Sequence, residues 1–383
     1  MGSSQHPLLQ HYLDRLHERE QEGARRGLKP NTGLIDFCSN DYLGLAASGL
    51  MEEALREKVA RAPLAGATGS RLLTGEHEFI SRLERRIAAF HLAESALLFS
   101  SGYAANSGLL STICRRGDVL LYDKLIHASM REGVQLSRAR SFSFRHNDLE
   151  DLTECADKLS RMRTKGELSA DAQVVVAVES VYSMDGDSAP LQEIAALCKR
   201  ENWALVVDEA HAVGVLGKHG AGLVPDLDLE DEVFARVVTY GKAFGASGGA
   251  IIGSKTLRDW LINYCKAFIY STALSGVQAA LIGTAYDLVE AADDRRAQLK
   301  KLQEGFDQRS SQSDGYPGAV RRYMVPGNAE VIALSATLAE AGIDCRPIRY
   351  PTVAKGEERL RISLHAHNSM EELATLLAAL PAR

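Results

Sequence analysis

The sequence predicts an α/β fold with a mostly parallel central sheet, helices on both faces of it, and a smaller C-terminal α+β domain. Three observations carry this expectation. Between residues 96 and 255, short apolar β-branched runs alternate with amphipathic segments, the pattern of successive β-α-β units. The runs are continuous rather than alternating in polarity, as strands buried on both faces must be. Beyond residue 286 the pattern changes to a charged helix followed by shorter mixed elements.

Taken in order, residues 7 to 28 place Leu8, Leu9, Tyr12, Leu13 and Leu16 at helical spacing. Asp36 to Leu45 reads as a short strand and a turn. A helix follows Gly75, with Phe79, Ile80, Leu83, Ile87 and Phe90 on one face. Ala96–Phe99 is a buried strand, and a helix begins after Gly102. Val174–Val178 is a continuous strand, and a helix from Pro190 carries Leu191, Ile194, Ala195 and Cys198. Strands ending at Asp208 and Thr239 come next. A charged helix is expected over 288–308, then an irregular stretch from Ser310 to Gly318. Ser369 and Glu372 form a capping box ahead of Leu373, Leu376, Leu377 and Leu380. The expected division is 1–47, an N-terminal helix and short strand; 48–285, a large α/β domain; and 286–383, the small C-terminal domain.

The 383 residues suffice for a large core, and 45% apolar with 25% charged residues is ordinary for a globular chain. A net charge of -6 without a dense basic run argues against nucleic acid. The six cysteines lack C-x-x-C spacing, which favours reduced thiols in a cytoplasmic protein over disulfides or a zinc framework. The uncharged run Ser95 to Cys114 holds several serines, two glycines and Asn106, so a membrane span is not expected there. Met1–His6 fits neither a signal peptide nor a lipidation signal.

Two stretches carry the chemistry. Val206-Val207-Asp208-Glu209-Ala210-His211 and Thr239-Tyr240-Gly241-Lys242-Ala243-Phe244-Gly245 each end an apolar strand with polar residues. Ligands of open parallel sheets bind outside the carboxyl ends of the strands. A lysine among glycines beside an acid suits pyridoxal phosphate (PLP), which bonds a lysine and needs an acid on its pyridine nitrogen. Lys242 and Asp208 take those parts, and His211 is placed to meet the ring's phenolate oxygen, as is Ser183 in the loop after Val178. Ser100–Asn106 joins a strand to a helix whose free N–H groups suit a phosphate. Arg349 and Arg361 can each fork onto a carboxylate. Gly248–Lys255 spells G-x-x-x-x-G-S-K, the wrong order for a nucleotide-triphosphate loop. Zinc on Asp208, Glu209 and His211 lacks further ligands at suitable spacing, so no metal is expected.

Together these motifs, with Ser39-Asn40-Asp41-Tyr42-Leu43-Gly44-Leu45, Phe144-Arg145-His146-Asn147-Asp148 and Arg359-Leu360-Arg361, resemble the α-oxoamine synthases. These are PLP enzymes of the aspartate-aminotransferase fold (PLP fold type I). The resemblance runs nearly end to end. It implies decarboxylative condensation of an amino acid with an acyl-CoA, alanine and pimeloyl-CoA being the first expected pair. The sister pairs are glycine with acetyl-CoA or succinyl-CoA, and serine with a long-chain acyl-CoA. It also implies that His127 stacks on the cofactor, that Gly102, Tyr103 and Thr239 contact its phosphate, and that Asn40 lies at the substrate beside Arg361. Ser271 and Thr272 would reach the phosphate of a second subunit, so a homodimer with shared sites is implied. Glu76 to Phe79 is more charged than the family's pattern, and Ala273 stands where a proline is common. A non-catalytic PLP-binding regulator is the alternative of another class, and the chain shows no basic segment for one.

Overall fold

In the computed structural model, residues 6–28, 33–59 and 65–381 are described. Most of the Met1–His6 stretch lies outside them. Twelve strands are β1 (Ile35–Asp36), β2 (Ser95–Phe99), β3 (Val119–Asp123), β4 (Arg140–Phe144), β5 (Val174–Glu179), β6 (Ala204–Asp208), β7 (Ala235–Thr239), β8 (Gly249–Gly253), β9 (Val320–Met324), β10 (Ile343–Asp344), β11 (Pro347–Ile348) and β12 (Arg359–Ser363).

Seven of them form the central sheet, in the order β2-β8-β7-β6-β5-β3-β4. From β4 to β7 all neighbours run parallel, whereas β8 is antiparallel to both β7 and β2. A parallel return needs a crossover of about a dozen residues or more. The short loop 240–248 can therefore join β7 only to an antiparallel neighbour, and that loop carries Lys242.

The alternation of side chains along each strand feeds two separate cores. Val174, Val176 and Val178 pack with Leu191, Ile194 and Cys198 of the helix Leu191–Glu201. Val175 and Ala177 face the opposite way, onto Leu109 and Leu110 of the helix Gly102–Thr112. A third cluster joins Ile80, Leu83 and Ile87 of the helix Glu78–Phe90 to Tyr286 and Val289, and then to Leu360 and Ile362 of β12. In the C-terminal region β12 lies between β11 and β9, antiparallel to both. The Ser369–Glu372 capping box is present: Glu372 N donates to Ser369 Oγ at 3.1 Å and Ser369 N to Glu372 Oε2 at 2.8 Å, opening the helix Met370–Ala379.

Two expectations shift. The first helix is Pro7–Gln21 and stops before residue 28, where Gly23 takes φ +64°, a backbone state that ends helices. The single charged helix over 288–308 is two helices, Gly276–Glu290 and Asp293–Asp307. Residues 288–290 close the first, whose Ala279, Ile282, Tyr286 and Val289 extend one buried stripe upstream of the charged run. That first helix also passes residue 285 without a break. The uncharged run from Ser95 is shared between β2 and the helix Gly102–Thr112, and among the described residues no helix is long and apolar enough to cross a membrane.

Candidate active site

β5, β6 and β7 end side by side, and their carboxyl ends bring together residues far apart in sequence. Asp208, the last residue of β6, is buried. Its Oδ1 accepts from Ala210 N at 2.8 Å and its Oδ2 from Asn106 Nδ2 at 2.6 Å. Neighbouring Glu209 faces elsewhere: its Oε1 accepts from Leu223 N and Val224 N at 2.7 and 2.9 Å, and Arg236 lies 3.8 Å from Oε2. Adjacent acids thus have different work, one at the strand-end cluster and one anchoring a loop.

Lys242 Nζ lies 2.7 Å from His211 Nε2. Burial pulls the lysine down to about 8, against the upward pull of Asp208 and Glu179. His211 is more deeply buried than the half-buried lysine, and burial together with the charges of Lys242, Arg361 and His127 holds its pKa far below the usual histidine range. It is therefore a neutral imidazole. Its Nδ1 meets the hydroxyl of Tyr42 at 2.7 Å. Tyr42 in turn touches Asn40 Oδ1 at 3.0 Å and Arg361 Nη2 at 3.1 Å. Arg361 also donates to Ser183 O at 2.5 Å, Ser363 Oγ at 3.0 Å and Asn40 Oδ1 at 2.9 Å.

His127 caps the helix Ala128–Leu136, with its Nδ1 2.7 Å from Ser129 Oγ. Ser129 Oγ accepts from Asn106 Nδ2 at 3.0 Å, which ties His127 to Asp208 through one amide. Burial lowers the His127 pKa. Glu179 is the register partner of Asp208 on β5, so the two carboxyls share a face of the sheet. Burial first, and then the Asp208 charge, push Glu179 well above the usual carboxylate range.

On the other side, Ser101 Oγ accepts from Ala104 N at 3.0 Å and starts the helix Gly102–Thr112. A Cβ on Gly102 would come within 2.9 Å of Thr239 Cβ and Oγ1, and one on Gly249 within 2.7 Å of Gly102 N. Only glycines let this helix start sit against the end of β7. The Tyr103 ring stands edge-on to His127, centroids 6.4 Å apart.

Lys242, His211, Asn40 and Arg361 are thus linked directly or through Tyr42, with Ser183 joined through its carbonyl. Asp208 is tied to His127 through Asn106 and Ser129 and acts on Lys242 through its charge. Gly102 and Thr239 lie in contact beside them. Arg349 is placed differently, with its guanidinium on the carbonyls of Gly23 and Arg25. Ser271 and Thr272 line a separate cavity with Arg71, Phe99 and Phe268. The charge at Glu76, a departure from the family's pattern, has a use there: it accepts from buried Arg71 at 2.6 Å, and Arg71 also pairs with Glu84. Sequence reading passed over Tyr42, Asn106 and Glu179. Asn106 left a signal, a lone amide between buried Ala105 and Leu109 on an otherwise apolar helix face.

His146 ties the end of β3 to the loop after β5, 3.0 Å from Asp123 and 2.7 Å from Asp187, with Asn147 Nδ2 donating to the same Asp187 oxygen at 2.7 Å. Burial lowers its pKa, but the two aspartates outweigh this and raise it to about 10. A raised histidine stabilises fully below its ordinary 6.5 and loses that contribution as pH climbs through about 10. Thermal melts of the wild type are expected to lose stability over this window. Asp187→Asn should be less stable at neutral pH and should show a flatter loss. Parallel pH curves for the two proteins would contradict this.

Residues 32–380 match the family Aminotransferase class I and II, and the chain belongs to that family. Its fold is the aspartate-aminotransferase-like one expected. Among its relatives is the 8-amino-7-oxononanoate synthase of Marinobacter nauticus, 40% identical over 353 residues, which are 91% of this chain and 86% of the relative. The serine palmitoyltransferase of Sphingomonas wittichii superposes with a TM-score of 0.84 at 29% identity, covering 97% of this chain and 95% of that one. A structure described as SPT with PLP is 25% identical, with a TM-score of 0.86 and 97% of each chain covered.

Proposed function

We propose that this chain is a PLP-dependent α-oxoamine synthase that condenses L-alanine with pimeloyl-CoA, giving 8-amino-7-oxononanoate, CoA and CO2, a step of biotin biosynthesis. The observation that carries the PLP reading is Lys242, half-buried and hydrogen-bonded to a neutral histidine, with buried Asp208 close enough to act on its charge. The name of the Marinobacter nauticus relative supports the choice of substrates.

The residues present fit PLP. Gly102 and Gly249 leave a helix start open beside Thr239, as a phosphate requires. Two buried oxygens next to Asp208, Asn106 Oδ1 and Glu179 Oε1, have no hydrogen-bond partner. A buried group left without partners is costly unless something binds there.

In this reading Lys242 holds the cofactor through Nζ, Asp208 faces the ring nitrogen, and His127 stacks on the ring. His211 and Ser183 meet the phenolate oxygen. Gly102, Tyr103 and Thr239 hold the phosphate, joined by Ser271 and Thr272 from the second subunit of a homodimer. When bound, PLP supplies an electron sink for charge left at the substrate's α-carbon. Arg361, with Asn40, orients the amino-acid carboxylate by donating N–H groups. Arg349 is the weaker choice, because its donors are spent on Gly23 and Arg25. Once free, Lys242 Nζ takes the α-proton, and a pKa near 8 leaves part of it as the neutral amine at neutral pH.

The depressed lysine gives a pH prediction. Only neutral Nζ is a nucleophile, so PLP capture by cofactor-free protein should speed up with pH and level off above about 8. Stopped-flow absorbance checks this, and a rate still climbing steeply at the ordinary lysine value of 10.5 would contradict it. The likeness to serine palmitoyltransferase supports a sister pair, serine with a long-chain acyl-CoA, as the second reading. CoA thiol release measured with alanine, glycine and serine against a panel of acyl-CoAs separates them. The proposal expects alanine with pimeloyl-CoA to be fastest, and a clear preference for another pair overturns the substrate assignment.

A further inference from the structure

Tyr42 is 1% exposed, and its hydroxyl touches both halves of the site: His211 Nδ1 at 2.7 Å, Asn40 Oδ1 at 3.0 Å and Arg361 Nη2 at 3.1 Å. The hydrogens in this group can be assigned by counting. Arginine only donates, so Arg361 Nη2 gives a hydrogen to the Tyr42 oxygen. The same Nη2 donates to Asn40 Oδ1 at 2.9 Å, which marks that atom as the amide oxygen and not the nitrogen. The hydroxyl's own hydrogen therefore goes to Asn40, and what remains to Tyr42 is a lone pair. His211 Nδ1 must carry a hydrogen to make the 2.7 Å contact. In a neutral imidazole the other nitrogen is then bare, and Nε2 accepts from Lys242 Nζ.

We infer that Tyr42 is a positioning residue for the proposed active site: in the cofactor-free protein its hydroxyl fixes His211 as the Nδ1–H tautomer, so that a bare Nε2 faces Lys242 until PLP is captured, and the same hydroxyl seats Arg361 and Asn40. The inference rests on reading Lys242 as the cofactor-holding lysine. With the hydroxyl gone, Nδ1–H has no acceptor in a buried place, a penalty that the opposite tautomer avoids. That tautomer turns an Nε2–H toward Lys242, where it opposes the ammonium form and suits the free amine. Burial keeps Tyr42 protonated, so the device does not switch itself off in the working pH range. Tyr42 thus links the amino-acid carboxylate subsite to the lysine through one atom.

The test uses the full chain without cofactor, labelled with 15N-histidine. His211 is assigned by loss of its signal in His211→Gln, and its tautomer is read from the nitrogen shifts. Wild-type protein should show the hydrogen on Nδ1. Tyr42→Phe should populate the Nε2–H form once its Lys242 loses its proton. In parallel, the pH midpoint for acylation of Lys242 should fall by about one unit in Tyr42→Phe, the size of one hydrogen bond to a charged group. Of the other charges acting on Lys242 and His211, Asp208, Glu179 and His127 do not bond the Tyr42 hydroxyl, and Arg361 keeps its bonds to Ser183 O, Ser363 Oγ and Asn40 Oδ1, so the shift reports His211. A hydrogen on Nε2 in wild type overturns the inference without any variant. So does a Tyr42→Phe protein with unchanged tautomer and unchanged midpoint. PLP absorbance recorded on the same preparations keeps the two readings apart. A correct tautomer without PLP binding defeats the proposed function alone, and PLP binding with the wrong tautomer defeats only the role of Tyr42.

Discussion

Lys242→Ala is expected to abolish covalent retention of PLP and to lower turnover by about 10^4-fold, the upper range for removing a positioned acid or base. The substitution removes the only group at the cluster that combines a nucleophilic amine with a depressed pKa among the described residues. It also leaves His211 Nε2 without its donor in a buried position. Borohydride reduction followed by peptide mass spectrometry checks the first part. Wild-type protein should carry the cofactor on the peptide holding Lys242, and the variant should carry none. Undiminished labelling elsewhere, with turnover within tenfold of wild type, would show that another lysine does this work.

Asp208→Asn carries the second-largest expected effect. The carboxylate accepts from Ala210 N on one oxygen and from Asn106 Nδ2 on the other. An amide has one oxygen, so whichever way it turns, an N–H faces another donor. The charge that would hold the ring nitrogen protonated is lost as well. Turnover should drop by about 10^2- to 10^3-fold, as when a group aimed at developing charge is removed. Glu209→Gln is the control. That side chain serves the backbone of Leu223 and Val224, so its loss should lower thermal stability and leave PLP absorbance unchanged. Equal loss of PLP in both variants would contradict separate roles for these adjacent acids.

The strands near Val178, Asp208 and Thr239, and the polar residues that follow them, could be read from the sequence because both are local. A continuous run such as Val174–Val178 can only be buried on two faces, and Asp208 and Lys242 each sit within a few residues of a strand end. Their meeting follows from parallel strands ending at one edge. What could not be read depends on contacts between distant segments. Tyr42 and His211 lie 169 positions apart, and nothing local in Asn40-Asp41-Tyr42 announces their bond. As residues, Arg349 and Arg361 both suit a carboxylate, and it is the family resemblance that puts Arg361 first and Arg349 second. The turn after β11 delivers Arg349 to the carbonyl of Gly23, while β12 carries Arg361 to Tyr42 and Asn40. The helix Gly276–Glu290 was hidden for another reason. Its mean composition is apolar and nearly uniform, so helical periodicity stands out only in the charged segment that follows it.

Condensation coupled to loss of the carboxylate is tested by the ratio of CoA to CO2 released from alanine and pimeloyl-CoA by PLP-loaded protein. With carboxyl-labelled alanine, one CO2 is expected for each CoA, with neither released when either substrate is omitted. CoA without CO2 would mean simple thioester cleavage, and CO2 without CoA would mean decarboxylation of the amino acid alone. Either result would contradict the assignment of this chain as an α-oxoamine synthase.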